Sequence, residues 1–571
     1  MHTFDFHFHP LFKRYVTQFD DAARHNSNCT LPVRLPGPGR VLDALVGHIL
    51  ENQASVAQTL AGKPAQAIRL GVAAVLAMEY VFASRQGLLK LLELEVLHRD
   101  VVAMLDSRFV EFVNKGEGSY AQLLDKEIAF YQWVVQEPGL RHPIHLLTRK
   151  AQQPVANQLD PNKLNLVLAI EGGHSLSQRR IRQLVGSLSP VAQVEKYRQD
   201  PTLDFLYLTL THLSHIPEQP LCSHAFGFKL VKNMPAARPQ FGGLTQLGKD
   251  VVRACINLKT NDFPILIDIK HMSARGREQF YAYRRELLAQ PPAAEFAPPT
   301  TWPIVATHMG VTGFRRRQLR GQLVEYGVEA ANPFSVRLRF NRVRAGQFKE
   351  GLLKENVFFN AASIGLFDED IEEIAGSDGL IGISLDARIL GYQSLTQRNA
   401  AGPDRDYDYF SREDFAAYFP DLSPALPPLP EVEEAATPPG VEVALSGQEV
   451  LGQASRRTRE LYLFCLNVLH VVAVVQAMRP AAPRPAWDYV CLGSDYDGLI
   501  DSIKAARTVE QLPGFRQELH EYFPKAEKAY RKLRPQVGEL LPRSNGVPDV
   551  ELVLEQLFYA NGRQFLEEWW G

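Results

Sequence analysis

The sequence predicts an α/β fold in which eight parallel strands form a closed (β/α)8, or TIM, barrel with large helical and loop insertions. Short apolar runs recur along the chain, as is typical of strands buried on both faces. Amphipathic helical segments separate them, for example 368–375 before the run that starts at 379. Most runs also end beside a residue that can do chemistry, as barrel strands do at their active-site ends. The eight runs are 4–9, 71–80, 164–170, 205–212, 264–271, 303–308, 379–386 and 489–495.

The first run carries two histidines, His7 and His9, one residue apart. Alternate residues of a strand point to the same face, so both imidazoles can reach one divalent metal ion. Six later runs end at, or are followed by, a residue that can bind metal or transfer a proton, and six such endings are hard to assign to chance. These residues are Glu171, His212, His271, His308, Asp386 and Asp495. The opening histidine pair and these endings together predict a metal-binding active site at one end of the barrel.

Two competing folds lack their signatures. A doubly wound open sheet would place a glycine-rich, phosphate-binding turn after the first strand, where residues 10–12 contain no glycine. A serine hydrolase of the α/β type would carry a GxSxG elbow, which the sequence lacks. We therefore treat residues 1–571 as one barrel domain and assign four segments to insertions or crossovers: helical regions at 13–63 and 85–144, a strand-like run at 356–361, and a proline-rich loop at 402–447.

The composition is that of an ordinary soluble globular protein, with 45% hydrophobic and 22% charged residues. A formal net charge of -2 gives no attraction for nucleic acid or an anionic membrane. The five cysteines show no CxxC spacing and cannot all pair, which favours a reducing compartment. The first residues show no basic region followed by an apolar one, so we expect no leader peptide. Polar residues interrupt the apolar stretch 461–478, which we interpret as a buried helix. We expect a cytoplasmic protein with no nucleic-acid or membrane partner. Whether it forms a homodimer is left open by the sequence.

Several motifs resemble those of the membrane (renal) dipeptidase family of the amidohydrolase superfamily. They follow the family's order over nearly the whole chain, and the last matches imperfectly. The motifs are EGGHS at 171–175, LTLTH at 208–212, GLTQLGKDVV at 243–252, LIDIKHMS at 266–273, ATH at 306–308, GSDYDG at 493–498 and YANGR at 559–563. The resemblance implies a barrel of the amidohydrolase type.

The resemblance also implies a site for two divalent metal ions. Here His7 and His9 would bind one ion, and His271 and His308 would bind the other. Glu171 would bridge the ions, because a carboxylate has two oxygens to share. Imidazole and carboxylate ligands without thiolates favour zinc, with iron, cobalt or manganese as alternatives. Zinc lowers the pKa of bound water to about 7, which makes hydroxide available at neutral pH.

Catalytic roles follow from the same resemblance. Asp495 would act as the general base and then protonate the leaving amine, and His212 would donate to the scissile carbonyl or the developing oxyanion. We favour Asp495 over Asp497, which can equally be a residue that closes a turn. Three further histidines are candidates for orienting the loop or lining the pocket: His174, His215 and His224.

The sequence departs from the family's pattern at two places. The family's first motif is usually His-x-Asp, whereas this chain has His7-x-His9, a change that alters the charge of the site but leaves it able to bind metal. The family's arginine for the substrate carboxylate is also missing before the acidic helix start at 367–369. A replacement could come from six inserted arginines, although a solvated basic face explains them as well: Arg315, Arg316, Arg317, Arg320, Arg337 and Arg342.

We interpret the chain as a metal-dependent amidohydrolase, a dipeptidase-type metallopeptidase that cleaves the amide bond of a small dipeptide-like substrate through a hydroxide bridging two metal ions. Two other functions stay open. The same metals could act on a different amide, such as an N-acyl amino acid or a lactam. Alternatively, the barrel could be a catalytically inactive binding protein, although an inactive barrel has no evident need for all six metal-site residues.

Overall fold

The computed structural model describes residues 2–17, 30–32, 52–61, 68–80, 108–109, 112–113, 118–136, 143–149, 153–178, 189–214, 219–227, 237–330, 332–350, 353–391, 407–429, 453–478 and 482–570. Eight parallel strands form the central sheet, and each pairs with the next. They are β1 (Thr3–Phe8), β2 (Ile68–Val75), β3 (Leu164–Ile170), β4 (Phe205–Thr209), β5 (Leu266–Asp268), β6 (Ile304–Met309), β7 (Leu380–Ile383) and β8 (Val490–Leu492).

The sheet curls into a nearly closed barrel, and two backbone hydrogen bonds join the first strand to the last. The N–H of Asp495 donates to the carbonyl of His7, and the N–H of His9 donates to the carbonyl of Tyr496, both at 2.8 Å. Each strand overlaps the run predicted for it, so the prediction of a (β/α)8 barrel with insertions is confirmed. A further parallel strand, Ile144–Leu146, pairs with the start of β3 and was not predicted.

Helices connect the barrel strands and pack around them. The longer described helices are Tyr120–Gln136, Pro190–Gln199, Gln246–Ile256, Ala274–Leu288, Asp368–Gly376, Gln453–Ala477, Leu512–Leu533 and Asn561–Trp569. The shorter ones are Phe12–Thr17, Val56–Ala61, Val155–Gln158, Leu319–Gln322, Ala387–Leu390, Arg412–Tyr418 and Val550–Glu555. Ser273 caps one of them by accepting from the N–H of Gly276, and this cap starts a helix only two residues after His271. The loop that carries His271 is therefore short and held at both ends.

The segment between β6 and β8 holds most of the inserted structure. Strands Leu323–Glu329, Asn332–Phe340 and Tyr407–Ser411 form an antiparallel sheet, and Arg344–Glu350 pairs with Leu353–Phe358 in a hairpin. The predicted run 356–361 begins in that hairpin and lies off the barrel, as expected for an insertion. A small antiparallel pair, Arg543–Ser544 with Val547–Pro548, lies near the carboxyl end of the chain.

The proline-rich range 402–447 is not a loop throughout. Its described part forms a strand, Tyr407–Ser411, followed directly by the helix Arg412–Tyr418. Apolar burial explains the difference, because Phe410 and Phe415 pack in a cluster with Phe340 from the neighbouring strand. The prediction of a loop is wrong for 407–418, and residues 402–406 and 430–447 lie outside the described residues.

The apolar stretch 461–478 lies in the helix Gln453–Ala477. Its window from Arg456 to Ala477 is long and apolar enough to cross a membrane, but 83% of that window is buried inside the fold. This burial agrees with the interpretation of a core helix. Of the predicted helical regions, the described parts of 13–63 and 85–144 are mostly helical, and the remainder lies outside the described residues. One apolar core extends from Phe4 to Trp570; a single domain over 1–571 stays a prediction.

Candidate metal centre

The carboxyl ends of the barrel strands bring the six predicted metal-site residues together. His7 lies in β1 and His308 in β6; His9 and Glu171 directly follow β1 and β3, and His271 and Asp495 lie three residues after β5 and β8. All of these side chains except that of Asp495 are buried, and the side chain of Asp495 is 13% exposed. The group is therefore largely shielded from bulk water, and the carboxylate of Asp495 is its most accessible member. Its members are His7, His9, Glu171, His271, His308 and Asp495.

Glu171 lies at the centre of this group. Its Oε1 is 3.4 Å from the Nε2 atoms of both His7 and His271, and 3.6 Å from Nε2 of His308. Its Oε2 is 3.2 Å from Nε2 of His9. The two oxygens of one carboxylate thus face histidines from β1, β5 and β6, which is the arrangement required of a residue that bridges two cations.

Asp495 faces the same centre from β8. Its Oδ1 lies 3.8 Å from Nε2 of His7 and 3.7 Å from Nε2 of His9, and its Oδ2 lies 3.9 Å from Nε2 of His308. The carboxylate therefore spans both halves of the group. Asp495 and His271 both have φ near +60°, a left-handed conformation that costs a non-glycine residue about 1–3 kcal/mol and clusters at active sites.

Buried partners behind the histidines fix the orientation of their rings. Nδ1 of His7 lies 2.8 Å from the hydroxyl of Tyr207, and Nδ1 of His308 lies 2.9 Å from the hydroxyl of Thr307. The carboxylate of Asp268 accepts from that Thr307 hydroxyl at 2.7 Å. Such outer partners are common behind metal-binding histidines because they leave the Nε2 atoms directed at the ion.

A divalent cation fits this donor set better than protons do. The Nε2 atoms of His7 and His9 lie only 3.2 Å apart, and neither ring nitrogen of His271 makes a hydrogen bond within the described chain. One carboxylate cannot satisfy four imidazoles, whereas cations would satisfy their lone pairs. Three sets of described residues, one of which includes His212, have ligand atoms close enough to share an ion: His7 with Glu171 and His308; His7 with His9 and Asp495; and Glu171 with His212 and His271.

The electrostatics of the centre favour metal-binding protonation states for several of its members. Burial, together with the charge of His212, holds the pKa of His271 well below its usual value, and burial and His7 do the same for His308. Burial opposes ionisation of Glu171, but the neighbouring histidines, His7 foremost, hold its pKa well below normal. His9 differs: despite burial, Asp495 and Glu171 raise its pKa to about 10, so a cation must displace a proton there.

Glu79 belongs to the site and was not identified from the sequence. This buried carboxylate follows β2 and contacts Nδ1 of His212 at 2.9 Å. It also accepts from the backbone N–H groups of Leu213 and Ser214, at 3.1 and 2.8 Å. Burial raises its pKa, but His212 outweighs that effect and lowers the pKa of Glu79 to about 2. The available signal was the predicted run 71–80, in which Glu79 is the last residue but one.

Glu79 fixes the position of His212, whose Nε2 lies 3.7 Å from Oε1 of Glu171. Burial disfavours the imidazolium form, but the charges of Glu79 and Glu171 raise the pKa of His212 above its ordinary value. A protonated His212 can donate from Nε2 into the centre, whereas a neutral one can bind a cation together with Glu171 and His271. In either form, the Glu79 carboxylate sets the direction of the ring.

The other predicted histidines lie around the centre or outside it. Nε2 of His174 is 2.7 Å from the carbonyl of Ala77, so this ring ties its loop to the end of β2, as expected for an orienting residue. Nε2 of His224 is 3.1 Å from the carbonyl of Ala237. Among the described residues, neither belongs to a set that could share an ion. His215 lies outside the described residues.

The contacts of Asp497 hold a loop in place. It is fully buried, its carboxylate accepts from the backbone N–H groups of Gln53 and Ala54, and it pairs with Lys13 at 2.9 Å. These contacts tie the loop after β8 to the segment before the helix Val56–Ala61. They agree with the preference for Asp495 over Asp497 as the reacting carboxylate.

Four of the six inserted arginines form ion pairs within the insertion and the adjoining elements. Arg315 pairs with Glu372, and Arg320 pairs with Asp421 at 2.8 Å. Arg316 and Arg337 are likewise paired with carboxylates, and Arg317 is exposed. None of these five side chains contacts a member of the metal-site group through any described ion pair or hydrogen bond. The structure therefore assigns none of them to a substrate carboxylate.

Comparison with known proteins gives structural matches only. No family model matches the chain, and no curated protein matches its sequence. The structure is similar to dipeptidase AC, a metallopeptidase of family M19, with 12% identity, a TM-score of 0.46, and coverage of 100% of this chain and 99% of that one. A Rhodobacter sphaeroides metallopeptidase liganded with a phosphinate mimic of the dipeptide L-Ala-D-Ala matches at 12% identity and a TM-score of 0.45, covering 100% and 99%. The probable dipeptidase PvdM from Pseudomonas aeruginosa matches at 13% identity and a TM-score of 0.41, covering 100% of this chain and 95% of that one. Over its whole length, this chain is thus similar to structures of metallo-dipeptidases at low sequence identity.

Proposed function

We propose that the protein is a binuclear metal-dependent hydrolase that cleaves the amide bond of a dipeptide-like substrate. One observation carries the proposal: the two oxygens of Glu171 face buried histidines at the ends of β1, β5 and β6, at 3.2–3.6 Å. His7 and His9 would hold one ion, and His271 and His308 the other. Oxygen and imidazole donors without thiolates favour zinc. The motifs at 171–175 and 493–498 support the same assignment.

Bound divalent ions would polarise the scissile carbonyl and supply an activated water at neutral pH. The chain's own residues then manage the protons. Asp495, half-way between the two sets of histidines, takes the proton of the attacking water and delivers it to the leaving amine. His212 donates from Nε2 to the carbonyl oxygen as negative charge develops there, and Glu79 stabilises the imidazolium needed for that donation.

Metal content and substrate range test this function together. Purified protein should contain about two equivalents of divalent metal, removable by a chelator and restored with zinc. The reconstituted protein should hydrolyse members of a dipeptide library. Fewer than one equivalent of tightly bound metal would reject the binuclear site. Two equivalents without hydrolysis of any dipeptide or N-acyl amino acid would instead favour a binding protein built on the same barrel.

The alternative is that the same metal centre hydrolyses an amide other than a dipeptide. Each of four inserted arginines pairs with a carboxylate of the chain, so none of these four is assigned to the family's usual carboxylate clamp: Arg315, Arg316, Arg320 and Arg337. An N-acyl amino acid or a lactam would then compete with a dipeptide as substrate. Activity on N-acyl amino acids or lactams, but on no dipeptide, would establish this alternative. The metal site and Asp495 would keep their roles.

Glu79→Gln should lower kcat about 10- to 100-fold while leaving the metal content unchanged, because the amide keeps an acceptor for the backbone but no longer stabilises protonated His212. Steady-state kinetics and metal analysis measure the two effects. Glu127→Gln is the matched control: this buried glutamate also accepts from a backbone N–H at the end of β2, and burial raises its pKa to about 8. At pH 7 that change replaces one neutral group with another. Equal kcat losses in both variants would contradict the role of Glu79.

We also propose a reducing, cytoplasmic location. The four described cysteines, Cys222, Cys255, Cys465 and Cys491, are buried and unpaired, which fits a compartment without disulfide formation. Fractionation of cells that express the full chain tests this. Recovery with the membrane or the secreted fraction would contradict it.

A further inference from the structure

A cavity of about 530 Å³ lies between the helix Leu512–Leu533, the loop that follows it and the hairpin at residues 543–548. Its volume falls within the range of about 300–1,000 Å³ that is common for small-molecule sites. Three prolines and Val537 supply the apolar part of its lining. Four cations from two separate elements also line it and define it as a basic cavity: Lys528, Arg531, Lys532 and Arg543.

The hairpin wall of the basic cavity is built by a local turn. Asn545 and Gly546 have positive φ values of 51° and 81°, as a two-residue type I′ turn requires. The turn pairs Arg543 with Pro548 across the two short strands, and both residues line the cavity. Arg543 is held in place, because its Nη1 donates to the carbonyl of Gly546 at 3.0 Å and its Nε pairs with Glu539 at 2.6 Å. This guanidinium is therefore positioned before any ligand binds.

A buried carboxylate fastens the loop to the helix. Glu527 is 4% exposed, and its Oε1 accepts from the backbone N–H groups of Leu540 and Leu541 at 2.6 and 2.9 Å. One turn further along the helix, Nε of Arg531 donates to the carbonyl of Val537 at 3.4 Å. Contacts to the backbone thus set the shape of the cavity. A site that is already ordered loses less conformational entropy on binding than one that must first be ordered.

The basic cavity carries more positive charge than its own carboxylates offset. Glu527 and Glu539 oppose two of its four cations, which leaves a net charge of +2 in a protein whose formal net charge is -2. Lys528 and Lys532 are exposed and form no ion pair within the described residues. They are four residues apart on one helix face, where like charges repel. The helix dipole favours cations in the last turn, but it does not account for Arg543, which belongs to another element.

We propose that the basic cavity binds a small organic phosphate, with the phosphoryl group among the four cations and the apolar part of the ligand against Val537 and the prolines. A phosphate monoester carries a charge of about -1.5 to -2 at pH 7 and three strong acceptor oxygens, which matches the excess of two positive charges. Two guanidinium forks can each hold a pair of phosphate oxygens, and the two lysines add point charges.

The basic cavity lies away from the candidate metal centre. Nε1 of Trp487, which precedes β8, donates to the carbonyl of Leu540 at 2.7 Å, so the loop fastened by Glu527 lies near the amino end of β8. The metal-site residues lie at the carboxyl ends of the strands, and no described ion pair or hydrogen bond joins them to a residue that lines the cavity. A phosphate bound here is therefore not the substrate of the proposed hydrolysis, and the inference does not depend on that function.

Calorimetric titration of the metal-loaded protein with phenyl phosphate tests the proposal. The wild type should bind it with a Kd of about 1 mM or below, and more tightly than inorganic phosphate, which lacks an apolar part. Replacing both lysines, Lys528→Met with Lys532→Met, should weaken this binding at least about 10-fold. Lys525→Met is the matched control: this lysine is on the same helix but pairs with Glu521 and does not line the cavity, so binding should not change.

Binding of phenyl phosphate at the metal ions would persist in all of these variants, so equal affinity of the wild type and the double variant would overturn the proposal. An equal loss in Lys525→Met would also overturn it, because the effect would then be one of general charge. Tighter binding of citrate than of phenyl phosphate would reject the phosphoryl group as the ligand.

Labelling of the wild type with an amine-reactive reagent gives a second test that needs no variant. Mass spectrometry should show that phenyl phosphate protects Lys528 and Lys532 from modification but leaves Lys525 reactive. Unchanged labelling of Lys528 and Lys532 at a saturating concentration of phenyl phosphate would overturn the proposal.

Discussion

Asp495→Asn is expected to abolish hydrolysis while the metal centre stays loaded. The amide can neither accept the proton of the attacking water nor pass it to the leaving amine, so kcat should fall about 10²- to 10⁴-fold. Metal should remain, because Asp495 lies 3.7–3.9 Å from the histidine nitrogens, whereas Glu171 approaches them to 3.2–3.6 Å. Single-turnover kinetics together with metal analysis of the same sample measure both effects.

The pH dependence gives an independent check on Asp495. Burial raises its pKa above the ordinary value, although His9 and His7 oppose the shift. The working form is the ionised carboxylate, so wild-type kcat should fall as the pH decreases through that raised pKa. The asparagine variant should lack this acidic limb. Asp421→Asn, at an exposed ion pair with Arg320, is the control and should leave kcat unchanged. Full activity in Asp495→Asn would remove this residue from the mechanism.

Glu171→Gln is expected to empty the whole centre. The neutral amide cannot bridge two cations. In the variant its NH₂ group would face the imidazole nitrogens that face the Glu171 carboxylate in the wild type. Metal content should fall from about two equivalents to below one, and hydrolysis should fall below detection. Thermal unfolding adds a second readout: free metal at 1,000 times its Kd should stabilise the wild type by about 4 kcal/mol. The variant should show no such metal-dependent shift.

Two comparisons make the Glu171 result specific. Chelated wild-type protein should match the variant in metal content and should recover activity when zinc returns, whereas the variant should not. Glu127→Gln, buried beside the end of β2, should retain both metals and the stabilisation. A Glu171→Gln protein that still holds two equivalents of metal would show that this carboxylate does not bridge.

Much of the site was predictable because parallel strands of a barrel all end at the same face. Glu171, His271 and Asp495 each follow an apolar run, and that local pattern was enough to place them together. Glu79 follows the same pattern, but no motif singled it out, and only its contact with His212 shows its role. The strand Tyr407–Ser411 was missed because it lies in a proline-rich segment, and its partner strand is more than sixty residues away in the chain.

The sequence by itself determined three properties: eight buried strands, the residues at their ends, and a donor set of imidazoles and carboxylates suited to a divalent metal. These properties are local, since apolar runs and residue types can be read without knowing what packs against them. The tertiary structure alone decided the pairings: which oxygen of Glu171 faces which histidine, that Asp497 is tied to Lys13 and the backbone, and that Glu79 holds the ring of His212. Distances, burial and electrostatic coupling arise between residues far apart in sequence, so they appear only when the strands close the barrel.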